Sequence, residues 1–213
     1  MKRHMKRDTK RSAVVVRMGL GALLVLGPGA CANQRAETAS SPREEPEAQA
    51  QDLSAYYPLA VGNEWTYRIN GREDKTVAVR ITQEQEGYYL DTQGGQLTVD
   101  TFGVRDRKRY LLRGPLTDGN QWTNVVSVSS TERYRILQAD VPCQTQAGAF
   151  ASCVRVEASN RVDAETTLIN ALTFARGVGL VRLELSVAKS STGERVPQTS
   201  LELASYKLQG PGR

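Results

Sequence analysis

The chain has 213 residues, 39% hydrophobic and 24% charged, with a net charge of +5 and a single histidine. Seven of the 28 basic residues (Lys2, Arg3, Lys6, Arg7, Lys10, Arg11 and Arg17) lie in the first 30 positions against one acid, Asp8; the remaining 21 basic and 22 acidic residues give no reason to expect a nucleic-acid partner. His4 lies in the same segment, and a mature protein without it has no imidazole, which excludes Ser/His/Asp and Cys/His triads and every histidine-ligated metal site.

Met1 to Arg17 forms a long basic lead, followed by ten apolar residues, Met18 to Gly27, and then by Pro28-Gly29-Ala30-Cys31. At about 1.5 Å per residue, ten residues cannot cross a hydrocarbon core about 30 Å thick, so residues 1–30 read as a signal peptide. The small residues before Cys31 resemble the bacterial lipobox, in which the cysteine receives a thioether-linked diacylglycerol and becomes the mature N-terminus. That resemblance implies lipidation at Cys31 and a membrane held through the lipid anchor. An uncleaved anchor over Ala13 to Ala30, interrupted by Arg17, and plain secretion are the alternatives. No arginine pair precedes the apolar stretch, which points to the general export route for unfolded chains, so no cofactor is expected. Residue 32 is alanine, not the aspartate that resembles an inner-membrane retention signal, and the expected location is the cell envelope, at the outer membrane facing the periplasm.

The stretch that completes 31–53 is rich in Ala, Glu, Gln, Ser and Pro and has no aromatic residue. It cannot bury enough apolar surface to offset chain entropy, so a flexible tether is expected. All 13 aromatic residues fall between Tyr56 and Tyr206. This step in composition marks one domain at 54–208, with 209–213 as a C-terminal tail. A domain of that length buries roughly 68–70% of its unfolded surface in a single core.

Within the domain, period-two alternation dominates. Trp65, Tyr67 and Ile69 alternate with Thr66 and Arg68; Val77, Val79 and Ile81 alternate with Ala78 and Arg80. Leu97/Val99, Tyr110/Leu112, Tyr134/Ile136, Val154/Val156/Ala158 and Val181/Leu183/Leu185/Val187 continue the pattern. Turn signals separate the runs at Asn70-Gly71, Glu86-Gly87, Gly94-Gly95, Gly114-Pro115, Asp118-Gly119, Gly148, Gly177-Val178-Gly179 and Thr192-Gly193. Such spacing leaves no room for crossover helices. The expected fold is all-β, an antiparallel meander of about ten strands forming a half-barrel or an open barrel.

Cys143 and Cys153 lie symmetrically about Gly148. With Ala147-Gly148 as the turn they face each other across a hairpin, and a disulfide there suits an oxidising compartment. A closed loop of about 11 residues stabilises by roughly 2.5–3 kcal/mol on the chain-entropy model. Redox-active pairs are usually spaced two apart at a helix start, which disfavours that role here.

The segment Tyr56-Tyr57-Pro58-Leu59-Ala60-Val61-Gly62-Asn63-Glu64-Trp65-Thr66-Tyr67 resembles the opening of uncharacterised bacterial secreted and lipoprotein domains that share an aromatic-Pro-Leu, Gly, Trp-x-Tyr pattern. Ala147-Gly148-Ala149-Phe150 leading into Cys153-Val154-Arg155-Val156, and Phe174-Ala175-Arg176-Gly177-Val178-Gly179-Leu180-Val181, resemble the same proteins in kind and order. The resemblance implies an antiparallel half-barrel, distantly like the periplasmic lipoprotein carriers, and implies no activity.

Motifs that could carry chemistry are weak. Ser186 and Lys189 match a Ser-x-x-Lys spacing, but in a strand an offset of three puts them on opposite faces, and the companion motifs Ser-Asp-Asn and Lys-Thr-Gly are absent. Gly177-Val178-Gly179 lacks a third glycine and precedes a strand, so it reads as a hairpin turn and not a phosphate loop. Glu184 and Glu202 alternate with leucines and face water. Arg105, Arg107, Arg109 and Arg113 share one parity, which in a strand makes a basic face able to contact anionic headgroups or an acidic partner; a merely solvated face uses the same residues.

The expected function is therefore a non-catalytic binding or assembly module, with an envelope protein or an apolar ligand as partner. In the carrier version, Trp65, Tyr67, Val77, Val79, Val181, Leu183 and Leu185 line a concave face that holds an acyl chain; a filled core uses the same side chains. The competing class is an envelope hydrolase that works with carboxylates alone, and a third is a subunit that docks by a strand edge.

Overall fold

The computed structural model describes residues 51–209. The expected signal peptide, Cys31 with its expected lipid, most of the expected tether and the end of the tail lie outside the described residues. A 3-10 helix at Leu53–Tyr56 precedes β1 (Glu64–Ile69), β2 (Arg72–Gln85), β3 (Tyr88–Asp91), β4 (Gln96–Asp100), β5 (Gly103–Arg105), β6 (Tyr110–Arg113), β7 (Gln121–Ser127), β8 (Ser130–Thr145), β9 (Gly148–Arg161), β10 (Thr166–Ala175), β11 (Gly179–Lys189) and β12 (Arg195–Lys207). The fold is an all-β antiparallel meander, with twelve strands where the alternation suggests about ten. The alternation marks β4 (Leu97/Val99) and β6 (Tyr110/Leu112) but passes over β3 and β5, whose four and three residues leave little pattern to read.

The spatial order is β6-β5-β4-β3-β2-β1-β12-β11-β10-β9-β8-β7. The first and last strands pair in the middle of the sheet, and its two edges, β6 and β7, are consecutive in the chain. The sheet therefore curls into a nearly closed barrel with a single seam between β6 and β7. Tight hairpins set the registers: Asn70 and Gly71, like Glu86 and Gly87, all have positive φ (53°, 70°, 53° and 75°), the conformation of a two-residue turn that matches strand twist. Gly103 is required by close approach, because a Cβ there would strike the carbonyl oxygen of Leu112 on the paired strand.

One end of the barrel is plugged by the segment before β1. Leu53, Tyr56 and Tyr57 are buried there, and Tyr57 packs with ring centroids 5.4 Å from Trp65 and 6.4 Å from Phe174. Trp65 Nε1 donates to the carbonyl of Val178 at 2.7 Å, and the Tyr67 hydroxyl donates to that of Leu180 at 2.8 Å. Buried Asn63 donates to the carbonyl of Pro58 and accepts from the amide of Gln209, which ties the chain's approach to β1 to its exit from β12. The aromatic-rich opening thus acts as a stopper in which the side chains of Tyr56, Asn63, Trp65 and Tyr67 all find hydrogen-bond partners.

Across β12 to β7 the directly paired residues form layers. Next to the plug, Tyr67 opposite Leu203 and Phe174 opposite Val154 are buried almost completely, as is Val181 at the register shift between β10 and β11. The next layer runs Ile69, Leu201, Leu183, Leu172, Val156 and Ile136, and a third runs Thr199, Leu185, Asn170, Ala158, Tyr134 and Trp122. At the far end, Val196, Val187, Leu168, Asn160, Glu132 and Asn124 share the concave face. Burial persists to this end on the β7–β8 side but fades on β10, β11 and β12.

Candidate functional site

The far end is the mouth of the barrel. Over Arg72 to Arg80, β2 pairs with β1 alone, because β3 joins it only from Ile81 onward. The wall facing this opening is apolar and half-buried: Ile69, Leu168, Leu183, Leu185, Val187 and Leu201. The seven residues of the expected apolar face divide accordingly. Trp65, Tyr67 and Val181 are filled core, with 1%, 3% and 0% exposure; Val79 and Val77, opposite Trp65 and Tyr67 on β2, are half-buried at that same level, and only Leu183 and Leu185 are half-buried nearer the mouth. Asn170 sits within the apolar wall, flanked on its neighbouring strands by Leu185 and Ala158. It offers a carboxamide beside a greasy surface.

The opposite side of the mouth is a polar cluster built across the seam. Asn124, buried on β7, accepts from the backbone amide of Tyr110 on β6 and donates to its carbonyl, both at 3.1 Å. Trp122 Nε1 donates to the same carbonyl at 2.8 Å. Side chains of β7 thus replace the missing strand-to-strand ladder. Buried Glu132 accepts from the Tyr134 hydroxyl at 2.8 Å and from Arg109 Nη1 at 3.1 Å. Arg109 Nε lies 2.8 Å from Asp106 Oδ2, an ion-pair contact without hydrogen-bond geometry. Burial works against the charge of Arg109, but Glu132 and Asp106 outweigh it and hold its pKa above the usual value. Burial and the bond to Glu132 push the Tyr134 phenol well up. Sequence reading missed Asn124 and Glu132; the available signal was a polar residue on the inward parity of an otherwise apolar strand.

The expected basic face is not one face. Residues 106–109 form a turn, because Asp106 Oδ1 accepts from the amides of Lys108 and Arg109 at 2.7 and 2.8 Å. The turn swings Arg109 toward Glu132 and away from its expected neighbours. Arg105 donates to Asp100 at 2.8 Å and to the Tyr88 hydroxyl at 2.5 Å. Burial raises the Asp100 pKa, but hydrogen bonds from Phe102, Tyr110 and Arg105 outweigh it and leave it below the ordinary value. Arg107 and Arg113 remain outward.

Cys143 and Cys153 are joined in a disulfide with Cα atoms 6.0 Å apart. The turn is Gln146-Ala147 instead of Ala147-Gly148, so Cys143 lies opposite Phe150 and Cys153 opposite Val141. Gly148 opens β9. Of the other candidates, Lys189 pairs with Glu194 at 3.6 Å, Glu184 is exposed, and Glu202 is held by Arg182 at 2.9 Å on the outer face. Among the described residues no group of three or more His, Cys, Asp or Glu side chains is placed to hold a metal ion, and no helix is long and apolar enough to cross a membrane.

No protein-family model matches the chain, and no curated protein matches it. Solved structures similar to it include a candidate exported protein with a YmcC-like fold from Bacteroides fragilis, 13% identical, which covers 70% of this chain and 97% of its own at a TM-score of 0.37. A candidate lipoprotein from Parabacteroides distasonis is 14% identical and covers 74% of this chain and 100% of its own at a TM-score of 0.39.

Proposed function

We propose that this protein is a non-catalytic binding module of the cell envelope, lipid-anchored through Cys31 at the outer membrane, and that its barrel mouth receives an acyl chain or another apolar ligand. One observation carries the ligand reading: the wall of Ile69, Leu168, Leu183, Leu185, Val187 and Leu201 stays half-buried although it continues the filled core without a break. Leaving such a surface in water costs about 25 cal/mol per Å², and a bound chain removes that cost. The lipobox-like run before Cys31 supports the anchored part of the reading, and the lack of any histidine after His4 supports the non-catalytic part.

Native mass spectrometry of the full chain after gentle extraction tests it. Lipid should co-purify, and Leu185→Glu, which places a charge on the wall at a half-buried position, should abolish co-purification while the β-sheet circular dichroism persists. Protein that emerges lipid-free from every mild extraction and takes up no fatty acid afterwards removes the carrier.

A further inference from the structure

A shallow groove of about 280 Å³ runs along the seam between β6 and β7, and Arg105, Arg107, Lys108, Arg113, Thr123 and Val125 are among its lining residues. Its charges are unequal in availability. Arg105 is neutralised by Asp100, and Arg109 by Asp106 and Glu132. Arg107 has a contact of 3.5 Å to the exposed carboxylate of Glu86, and among the described residues neither Lys108 nor Arg113 has a carboxylate partner. Exposed Arg133, opposite Thr123 in the β7–β8 pairing, adds positive charge on the other lip. Asp106, the one acid lining the groove, is already occupied by two backbone amides and Arg109.

Arg113 and Arg107, the latter with its Nε already donated to Gln96 Oε1 at 2.8 Å, are both positioned by aromatic faces. The Arg107 guanidinium carbon lies 4.0 Å from the centroid of the Tyr88 ring, and that of Arg113 lies 5.5 Å from Tyr110, whose hydroxyl is bound to Asp100 at 2.9 Å. A guanidinium stacked on a ring keeps its N–H edges free for an oxyanion, and ordering it beforehand lowers the entropy lost on binding. We propose that the seam groove is a binding site for a phosphate group, clasped by Arg107 and Arg113 with Lys108 adding charge. Free inorganic phosphate and the phosphate of a lipid headgroup present the same chemistry to it. The groove shares Arg109 and Asn124 with the polar side of the mouth, but its clasping residues are separate from the apolar wall.

Calorimetric titration of the detergent-solubilised full chain tests the assignment, with inorganic phosphate and dihexanoylphosphatidylglycerol as probes. Both should bind, and the double variant R107E/R113E should weaken both at least tenfold, while Arg176→Glu, an exposed charge in the β10–β11 turn, leaves them within twofold. Dihexanoylphosphatidylglycerol binding tenfold or more tighter than phosphate identifies a lipid headgroup as the source; equal affinities identify phosphate itself. Circular dichroism confirms folding, and Arg113→Gln, expected to weaken binding severalfold, serves if the double variant does not fold. Absence of phosphate binding by the parent chain, a double variant within twofold of it, or an equal loss in Arg176→Glu would overturn the proposal.

Discussion

Asn124 makes two hydrogen bonds to the backbone of one residue, Tyr110, and so supplies with a single side chain the ladder that β6 and β7 cannot form with each other. The position is buried, and although the Tyr110 carbonyl keeps Trp122 Nε1, its amide has no ready substitute in water. Asn124→Ala should therefore cost about 1 to 3 kcal/mol, the range for leaving one buried polar group unpaired, read as a lower denaturant midpoint with an unchanged slope. Asn124→Asp should cost more at neutral pH, because a carboxylate accepts from the amide of Tyr110 but sets like against like at its carbonyl. A variant as stable as the parent would show that the seam is held by Trp122 and the layers beneath it. The sequence shows the oddity, an asparagine on the inward parity two residues after Trp122, but not its partner, since contacts between two sheet edges leave no periodic trace.

Strands differ in how much of themselves they announce. The alternating run in β1 and those in the longer β2, β8, β9 and β11 were legible, as were most of the turns between them. The segment 105–113 was not, because charged residues at one parity look like a strand face while the Asx turn at Asp106 redirects the chain. In β8 the pairing with β9 shifts three times between Ile136 and Cys143, and Asp140 there has a φ of 54°. Bulges consume residues without leaving an apolar pattern, so a turn centred on Gly148 by symmetry misses by one residue. The disulfide lies just past these irregularities and fixes a register that hydrogen bonds alone specify weakly. Replacing both cysteines by serine should cost about 2 to 3 kcal/mol by the loop-closure argument. Amide exchange should rise first in Gln138 to Thr145 and Gly148 to Cys153, ahead of β10 and β11; uniform acceleration across the barrel would mean that the bridge acts on global stability alone.

A barrel of twelve strands is wider than the eight whose interior side chains just fill, so its two ends must be solved differently. At one end the chain inserts Tyr57, Trp65, Phe174 and the 3-10 helix, and burial is complete. At the other it inserts nothing among the described residues, and leucines on β10, β11 and β12 keep part of their surface in water. The same residue type should then have two costs of removal. Leu203, fully buried beside Tyr67, should lose about 3 to 4 kcal/mol on truncation to alanine, because both transfer energy and a cavity are at stake. Leu185 in the mouth should lose less than about 1.5 kcal/mol, because water already reaches it and no closed cavity forms. Adding a ligand that fills the mouth should sharpen the contrast: it raises the thermal midpoint of the Leu203→Ala protein as much as that of the parent, but raises that of Leu185→Ala less, since only the latter has lost ligand-facing surface. Equal costs for the two truncations would mean that the mouth is packed like the core, and the gradient of burial along the barrel axis would have no energetic counterpart.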